Sequence, residues 1–241
     1  MSKQWLIKCI DVCRSFGKGK KKFLAVDHLN TTFYQGENVA LLGSNGAGKT
    51  TLVEMIVGLN KPTTGKILFS FGKTKIDCSR NIGIQFQDST YPPNISVKSV
   101  IDFVRRAYGS DITNEELSDM IDTFMIRDFY KRDTSGLSGG QTQRLNILLA
   151  LIHRPKIVFL DELSTGLDIT IRTQIKEFIK VYATKHSITI VLVSHDMNEV
   201  EYLTDRIVIM SKGKIIQDVN THNIIKKFGS VEKYVTKFIN H

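Results

Sequence analysis

The chain has 241 residues, 33 of them basic and 24 acidic, which leaves a net charge of +9. Hydrophobic residues make up 41% and charged residues 24%, ordinary globular usage that excludes a disordered or low-complexity fibre and allows a substantial core. The longest uninterrupted apolar run is residues 147–152, far short of the about 18 to 20 residues a spanning helix needs, so the sequence predicts no membrane crossing.

Residues 1–7 carry no apolar stretch of signal-peptide length, and no export signal is expected. The three cysteines, Cys9, Cys13 and Cys78, form no CxxC pair and no histidine cluster at metal-ligand spacing, so they read as free thiols of a reducing compartment. Strand character at 5–10 and 28–34, and again at 67–71 and 82–86, comes without intervening helices and predicts an antiparallel subdomain. The densest charge cluster, Lys18, Lys20, Lys21 and Lys22, is broken by glycine and has no interleaved aromatics. It predicts a solvated turn, with no nucleic-acid partner expected.

The branched run 38–42 is the first of four such segments, followed by 157–160, 188–193 and 206–210. Each is apolar on both faces, and helices alternate with them. This is the pattern of an α/β fold with a parallel sheet covered by helices. Apolar residues at helical spacing mark four helices: Val97, Val100, Ile101, Val104; Leu117, Met120, Ile121, Phe124; Leu145, Leu148, Leu149, Ile152; and Ile175, Phe178, Ile179, Tyr182. Thr113 followed by Glu116 predicts a capping box at the start of the second. Strand signal disappears over 88–136, which reads as a helical subdomain inserted into a single domain spanning 1–241. A C-terminal extension covers about 220–241, where Val231, Tyr234, Val235 and Phe238 form one apolar face.

Three motifs carry chemistry. Run 38–42 leads into Gly43, Ser44, Asn45, Gly46, Ala47, Gly48, Lys49 and Thr50, a match to GxxxxGK followed by Ser or Thr. The glycines let backbone amides curl around phosphate oxygens, the following helix points its positive end at them, and Lys49 adds charge between β- and γ-phosphates. Thr50 would hold Mg²⁺ through its hydroxyl. A buried strand then ends in Asp161 and Glu162. The first suits the metal's ligand shell, and the second, elsewhere on the pleat, suits a base that orients and deprotonates an attacking water. Between these lies Leu137, Ser138, Gly139, Gly140 and Gln141, directly before the helix of Leu145. A serine hydroxyl and bare glycine amides at a helix start make a second anion site rather than a plain helix cap.

On these motifs the chain resembles the nucleotide-binding subunit of an ATP-binding cassette (ABC) transporter over about residues 5–219. Residues 43–50 match the Walker A loop, 157–162 the Walker B strand and 137–141 the signature. The resemblance implies the ABC ATPase fold: a P-loop NTPase core with a flanked parallel sheet, an antiparallel β subdomain and an inserted helical subdomain. It implies ATP and Mg²⁺ as ligands. It assigns Gln87 to metal and γ-phosphate sensing, His195 to γ-phosphate contact, and Ser164 to Asp168 to the D-loop. Asp168 and Thr51 join the nucleotide-binding set, and Phe16 takes the place of the aromatic that stacks on adenine, with Phe23 a competitor. Leu163 departs from the proline usual after the catalytic glutamate.

The same resemblance implies that two copies, or one copy and a second ABC ATPase, close around ATP. Each nucleotide then sits between Lys49 of one subunit and Ser138 to Gly140 of the other, and hydrolysis reopens the pair. A separate transmembrane permease is the expected partner, with the chain peripheral on the cytoplasmic face of the membrane. The short helical insertion and the tail 224–238 look like ATPases of two-component drug or lipid exporters. The alternatives are an importer subunit or a non-transport ABC ATPase acting on ribosome or nucleic acid.

Overall fold

The computed structural model describes residues 3–19, 22–72, 74–86 and 91–239, and its short strands of four or five residues are buried and mostly apolar. Lys20 and Lys21 of the basic turn and Gln87 lie outside the described residues. The chain divides into two compact units, one made of Met1–Ser79 with Thr189–His241 and the other of Arg80–Ile188.

In chain order the first stretch holds β1 (Trp5–Phe16), β2 (Phe23–Tyr34), β3 (Val39–Leu42), α1 (Lys49–Ile56), β4 (Thr64–Phe69) and α2 (Lys75–Arg80). Next come β5 (Ile82–Gln85), α3 (Val97–Tyr108), α4 (Asn114–Thr123), α5 (Gly139–Leu151), β6 (Ile157–Asp161) and α6 (Ile169–Lys185). The last stretch holds β7 (Thr189–Val193), α7 (Met197–Leu203), β8 (Arg206–Ser211), β9 (Lys214–Asn220), α8 (Thr221–Phe228) and α9 (Val231–Ile239).

In the first unit β3 lies between β7 and β8, parallel to both. All four residues of β3 and all five of β7 are buried, as expected of strands covered on both faces. β9 closes this sheet antiparallel to β8, and its strict alternation of exposed and half-buried residues marks an edge strand with one wet face. A second sheet, ordered β2-β1-β4, is antiparallel throughout. Register shifts between Cys9 and Val12 and between Val12 and Arg14 bulge β1 against β2, and Asp11 and His28 adopt left-handed backbone there, with φ of 51° and 46°.

Arg206 ties the unit's two sheets together. Its guanidinium meets both carboxylate oxygens of Asp218 on β9, at 2.6 and 2.5 Å, and donates to the Thr32 carbonyl on β2 at 2.7 Å. The forked geometry satisfies three acceptors with one side chain.

In the second unit β5 runs parallel to β6. This corrects the assignment of 82–86 to the antiparallel subdomain. The reason is the glycine in the strand: a Cβ on Gly83 would lie 2.1 Å from the Ala150 carbonyl oxygen, so β5 packs directly beneath α5 instead of pairing with β4. The expected capping box starts α4, with Glu116 N–H donating to Thr113 Oγ1 at 3.1 Å and Thr113 N–H to Glu116 Oε2 at 3.3 Å. Short 3₁₀ turns at Arg127–Phe129 and Thr134–Gly136 follow it.

Candidate functional site

The first half of the candidate site belongs to the unit that contains β3. Residues 43–48 leave the carboxyl end of β3 and turn into α1, which has no acidic residue in its first turn and no side chain capping it. Its leading amides are therefore open to an anion. Gly48 sits at the cap with φ of 103°, and a Cβ there would lie 2.2 Å from the Ala25 carbonyl oxygen. Only glycine allows β2 to press this closely on the loop. Gly43 is under the same constraint, with φ of 149° and a would-be Cβ 2.3 Å from the Met210 carbonyl oxygen.

Lys49 is buried, and its Nζ donates to the Gly43 carbonyl at 2.7 Å and the Ser44 carbonyl at 3.1 Å. The ammonium thus folds back over the loop and holds its turn. A pocket of ≈ 320 Å³ opens over the loop. Asn45, Gly46, Ala47, Gly48, Lys49, Thr50 and Thr51 line its floor, and Phe16, Phe23 and Ala25 form its wall. The two phenylalanines face each other across the β1–β2 hairpin with ring centroids 5.9 Å apart, and the Arg14 guanidinium lies 4.6 Å from the Phe16 ring centre. Both candidates for the base-stacking aromatic are therefore at one pocket.

His195 belongs to the same unit. Ala40 of β3 is level with Leu192 of β7, so Gly43 and His195, each three residues further on, leave neighbouring parallel strands at the same end. The helix cap beside it is Asp196, whose carboxylate accepts from Asn198 N–H at 2.9 Å. His195 is exposed.

The second half lies in the other unit. β6 is buried through Leu160 and emerges at Asp161. Glu162 adopts φ of 53°, a left-handed conformation that costs a non-glycine residue on the order of 1 kcal/mol or more and persists only where its surroundings enforce it. Two glutamines that the sequence reading did not single out supply that enforcement. The Gln85 amide pairs with the Asp161 backbone in both directions, Asp161 N–H donating to Oε1 at 3.0 Å and Nε2 to the Asp161 carbonyl at 2.9 Å. Gln143 Nε2 donates to the carbonyls of Glu162 at 2.9 Å and Leu163 at 3.2 Å. The two amides also meet each other at 3.3 Å, and both are buried. The signal was present, since a glutamine at the end of an apolar strand or in a buried helical turn must find partners; its target was not legible.

The Glu162 side chain accepts from Thr165 Oγ1 at 3.0 Å. Leu163, in place of the usual proline, is buried. Residues 164–168 lead into α6, whose N-cap is Asp168, accepting from Ile171 N–H at 3.0 Å. Ser138 is the N-cap of α5 in a full capping box with Gln141, the Gln141 N–H donating to Ser138 Oγ at 3.3 Å and Ser138 N–H to Gln141 Oε1 at 3.0 Å. The string, expected to be an anion site rather than a plain helix cap, does cap the helix. A serine hydroxyl that accepts the cap bond retains its own hydrogen for donation, so capping and anion contact are compatible. Gly140 lets the two loops touch, because a Cβ on it would lie 2.5 Å from the Gly166 carbonyl oxygen.

The structure therefore gathers Phe16, Gly43 to Thr51 and His195 in one unit, and Ser138 to Gln141, Asp161, Glu162 and Asp168 in the other. Gln87 lies outside the described residues. The Thr50 hydroxyl in the first unit and the Asp161 carboxylate in the second are each hard oxygen donors of the kind Mg²⁺ takes. No helix among the described residues is long and apolar enough to cross a membrane.

Known proteins resemble this chain in both sequence and fold. A family profile described as ABC transporter matches residues 26–165. The chain is 31% identical over 236 residues to the oligopeptide transport ATP-binding protein OppF of Streptococcus pyogenes serotype M1, covering 91% of this chain and 76% of that one. It is 35% identical over 217 residues to the ABC transporter ATP-binding protein NatA of Bacillus subtilis, covering 88% of each. Among solved structures it is similar to a dimeric ATP-binding cassette in a post-hydrolysis state with ADP and Pi bound, with a TM-score of 0.76 and 25% identity over 89% of this chain and 98% of that one.

Proposed function

The chain belongs to the ABC transporter family, and on that premise we propose that two copies, or one copy and a second ABC ATPase, close on ATP and reopen on hydrolysis to drive a separate transmembrane subunit. It is an ATP-binding, ATP-hydrolysing subunit of a transporter. The observation that carries the proposal is a pair of helix starts, α1 without a side-chain cap and α5 capped by Ser138. α1 presents uncapped amides and Lys49 from one unit, and α5 presents Gly139, Gly140 and the Ser138 hydroxyl from the other. A chain with two such anion sites suits two nucleotides shared between two subunits, each triphosphate held by Lys49 of one and Ser138 of the other.

The roles follow from each residue's chemistry. Lys49 and the loop amides bind the phosphates and draw off negative charge. Glu162, steadied by Thr165, orients the attacking water and accepts its proton. His195 contacts the γ-phosphate, and Phe16 supports the base. Thr50 and Asp161, with Gln87, would hold Mg²⁺, which when bound neutralises phosphate charge. Loss of the γ-phosphate removes the link between subunits, and the pair separates.

For direction we favour export, through a permease that holds the chain on the cytoplasmic face of the membrane. The short helical insertion and the α8–α9 tail support that reading. The importer reading has its own support: relatives include a spermidine/putrescine import ATP-binding protein of Mesorhizobium japonicum, which is 31% identical over 238 residues. Detergent co-purification identifies the permease, and substrate flux in vesicles rebuilt with it gives the direction; ATP-driven accumulation on the nucleotide-binding side would reject export.

Glu162→Gln tests the motor. The variant is expected to bind ATP, to lose turnover by at least about 10²-fold as expected for loss of a general base, and to elute as a stable dimer with ATP. Lys49→Ala is expected to lose ATP binding and dimerisation together. Rapid hydrolysis by Glu162→Gln would remove the base assignment, and a monomer under saturating ATP would remove the clamp.

A further inference from the structure

The β1–β2 hairpin, whose Phe16, Phe23 and Ala25 wall the nucleotide pocket, also brings together three side chains of different donor type. Ligand atoms of Cys13, Asp27 and His28 all lie within 4.8 Å of one another, the one such cluster among the described residues. We propose that they form a binding site for a single zinc-class divalent cation, with Asp11 as the group that orients the histidine.

The geometry assigns each atom a task. His28 Nδ1 is 2.7 Å from Asp11 Oδ1, which leaves Nε2 as the ligand nitrogen, 4.0 Å from Asp27 Oδ1. A carboxylate on the distal ring nitrogen is the arrangement that fixes the tautomer and orientation of a metal-bound histidine. The other Asp27 oxygen, Oδ2, meets Lys214 Nζ at 3.1 Å, so the aspartate can ligate through Oδ1 without giving up that ion pair. The His28 N–H donates to Cys13 Sγ at 3.2 Å, which holds the sulfur beside the histidine.

Backbone conformation places these groups. Asp11 and His28 are both left-handed and lie at two successive register shifts of the β1–β2 pairing, either side of the Val12–Leu29 pair, and bulges re-aim side chains in this way. Tetrahedral zinc holds its ligand atoms about 3.5 Å apart, so the cluster must contract by about an ångström. The His28 side chain is 67% exposed and can swing that far, and its exposure leaves a fourth position open to water or to an outside ligand. The mixed S, N and O set selects zinc-like ions over Mg²⁺ or Ca²⁺, which prefer oxygen alone.

The test is a titration of the reduced, nucleotide-free full-length chain with Co²⁺, followed by Zn²⁺. One equivalent should give tetrahedral ligand-field bands with a thiolate-to-cobalt charge-transfer band, both removed by Zn²⁺. Cys13→Ser should abolish the charge-transfer band, while Cys9→Ser and Cys78→Ser keep it. His28→Asn suits the left-handed position, so the fold should be retained by circular dichroism, and its affinity should fall by more than about 10-fold. Asp11→Asn should weaken binding by about 10-fold with the spectrum unchanged. A wild-type chain without the charge-transfer band, a band that survives Cys13→Ser, or unaltered affinity in folded His28→Asn would each overturn the site.

Discussion

The side-chain amide of Gln143 donates to the backbone carbonyl of Glu162 at 2.9 Å, so a residue in the second turn of α5 holds the backbone of the carboxylate proposed as base. Together with Gln85 it converts the turn after β6 into a pinned one, and the left-handed backbone of Glu162 is the strain it maintains. Replacing Gln143 by Glu keeps the shape and removes the donor. The variant should lose about 1–3 kcal/mol of stability from unsatisfied buried carbonyls, and its ATP turnover should fall by about 10²-fold through misplacement of the carboxylate. ATP affinity, which rests on the P-loop, should change little. Steady-state kinetics beside equilibrium nucleotide binding separates the two effects.

Gly48 and Gly46 differ in what surrounds them. A Cβ on Gly48 would collide with the Ala25 carbonyl, whereas one on Gly46 would meet nothing within 4 Å, although both have positive φ. Gly46→Ala should therefore cost the fold backbone strain alone, about 1 kcal/mol. Gly48→Ala must also displace β2 and should cost about 3 kcal/mol or more with loss of ATP binding. Denaturant unfolding of the pair checks the contrast, and nucleotide titration of Gly48→Ala checks the loss of binding.

Phe16 and Phe23 share the pocket wall, so their truncations can be compared directly. If Phe16 carries the base, Phe16→Ala weakens ATP binding by the value of one stacking contact, about 1–3 kcal/mol, and Phe23→Ala has the smaller effect. Titration with a fluorescent ATP analogue ranks them, and the reverse order would transfer the role to Phe23.

His153 is held below the usual histidine pKa of 6.5 by burial, with its ring stacked 4.2 Å from that of Tyr108. Because the folded chain resists protonating it, the unfolded chain binds the proton first. Its contribution to stability is full above pH 6.5 and is lost as pH falls from there through the lower folded value. His153→Phe keeps the stack and should show a shallower loss of stability than wild type as pH falls below 6.5; equal slopes in denaturant titrations would exclude His153 as the source.

The strings proposed to carry the chemistry were legible because each is contiguous. Residues 43–50, 138–141 and 161–162 are loops flanked by one strand or one helix, and their chemistry depends on backbone amides and side chains close in sequence. The same holds for the capping box at Thr113 and Glu116 and for the buried runs that became β3, β6, β7 and β8. Strand 82–85 was misplaced because short apolar runs carry no label for their partner. Only the approach of Ala150 to Gly83 shows that it lies beneath α5.

By itself, then, the sequence determined the α/β class, the phosphate loop, the acidic strand end and the resemblance to ABC ATPases, since all are written in local pattern and spacing. Tertiary structure alone decided what reaches across the chain: Gln85 and Gln143 onto the Asp161–Leu163 backbone, and Cys13 beside His28. These pairs are separated by many residues, and their meeting depends on strand register, bulges and helix packing, which no local spacing encodes. The three cysteines read as isolated thiols for that reason, and one of them stands against a histidine and an aspartate once β1 and β2 pair.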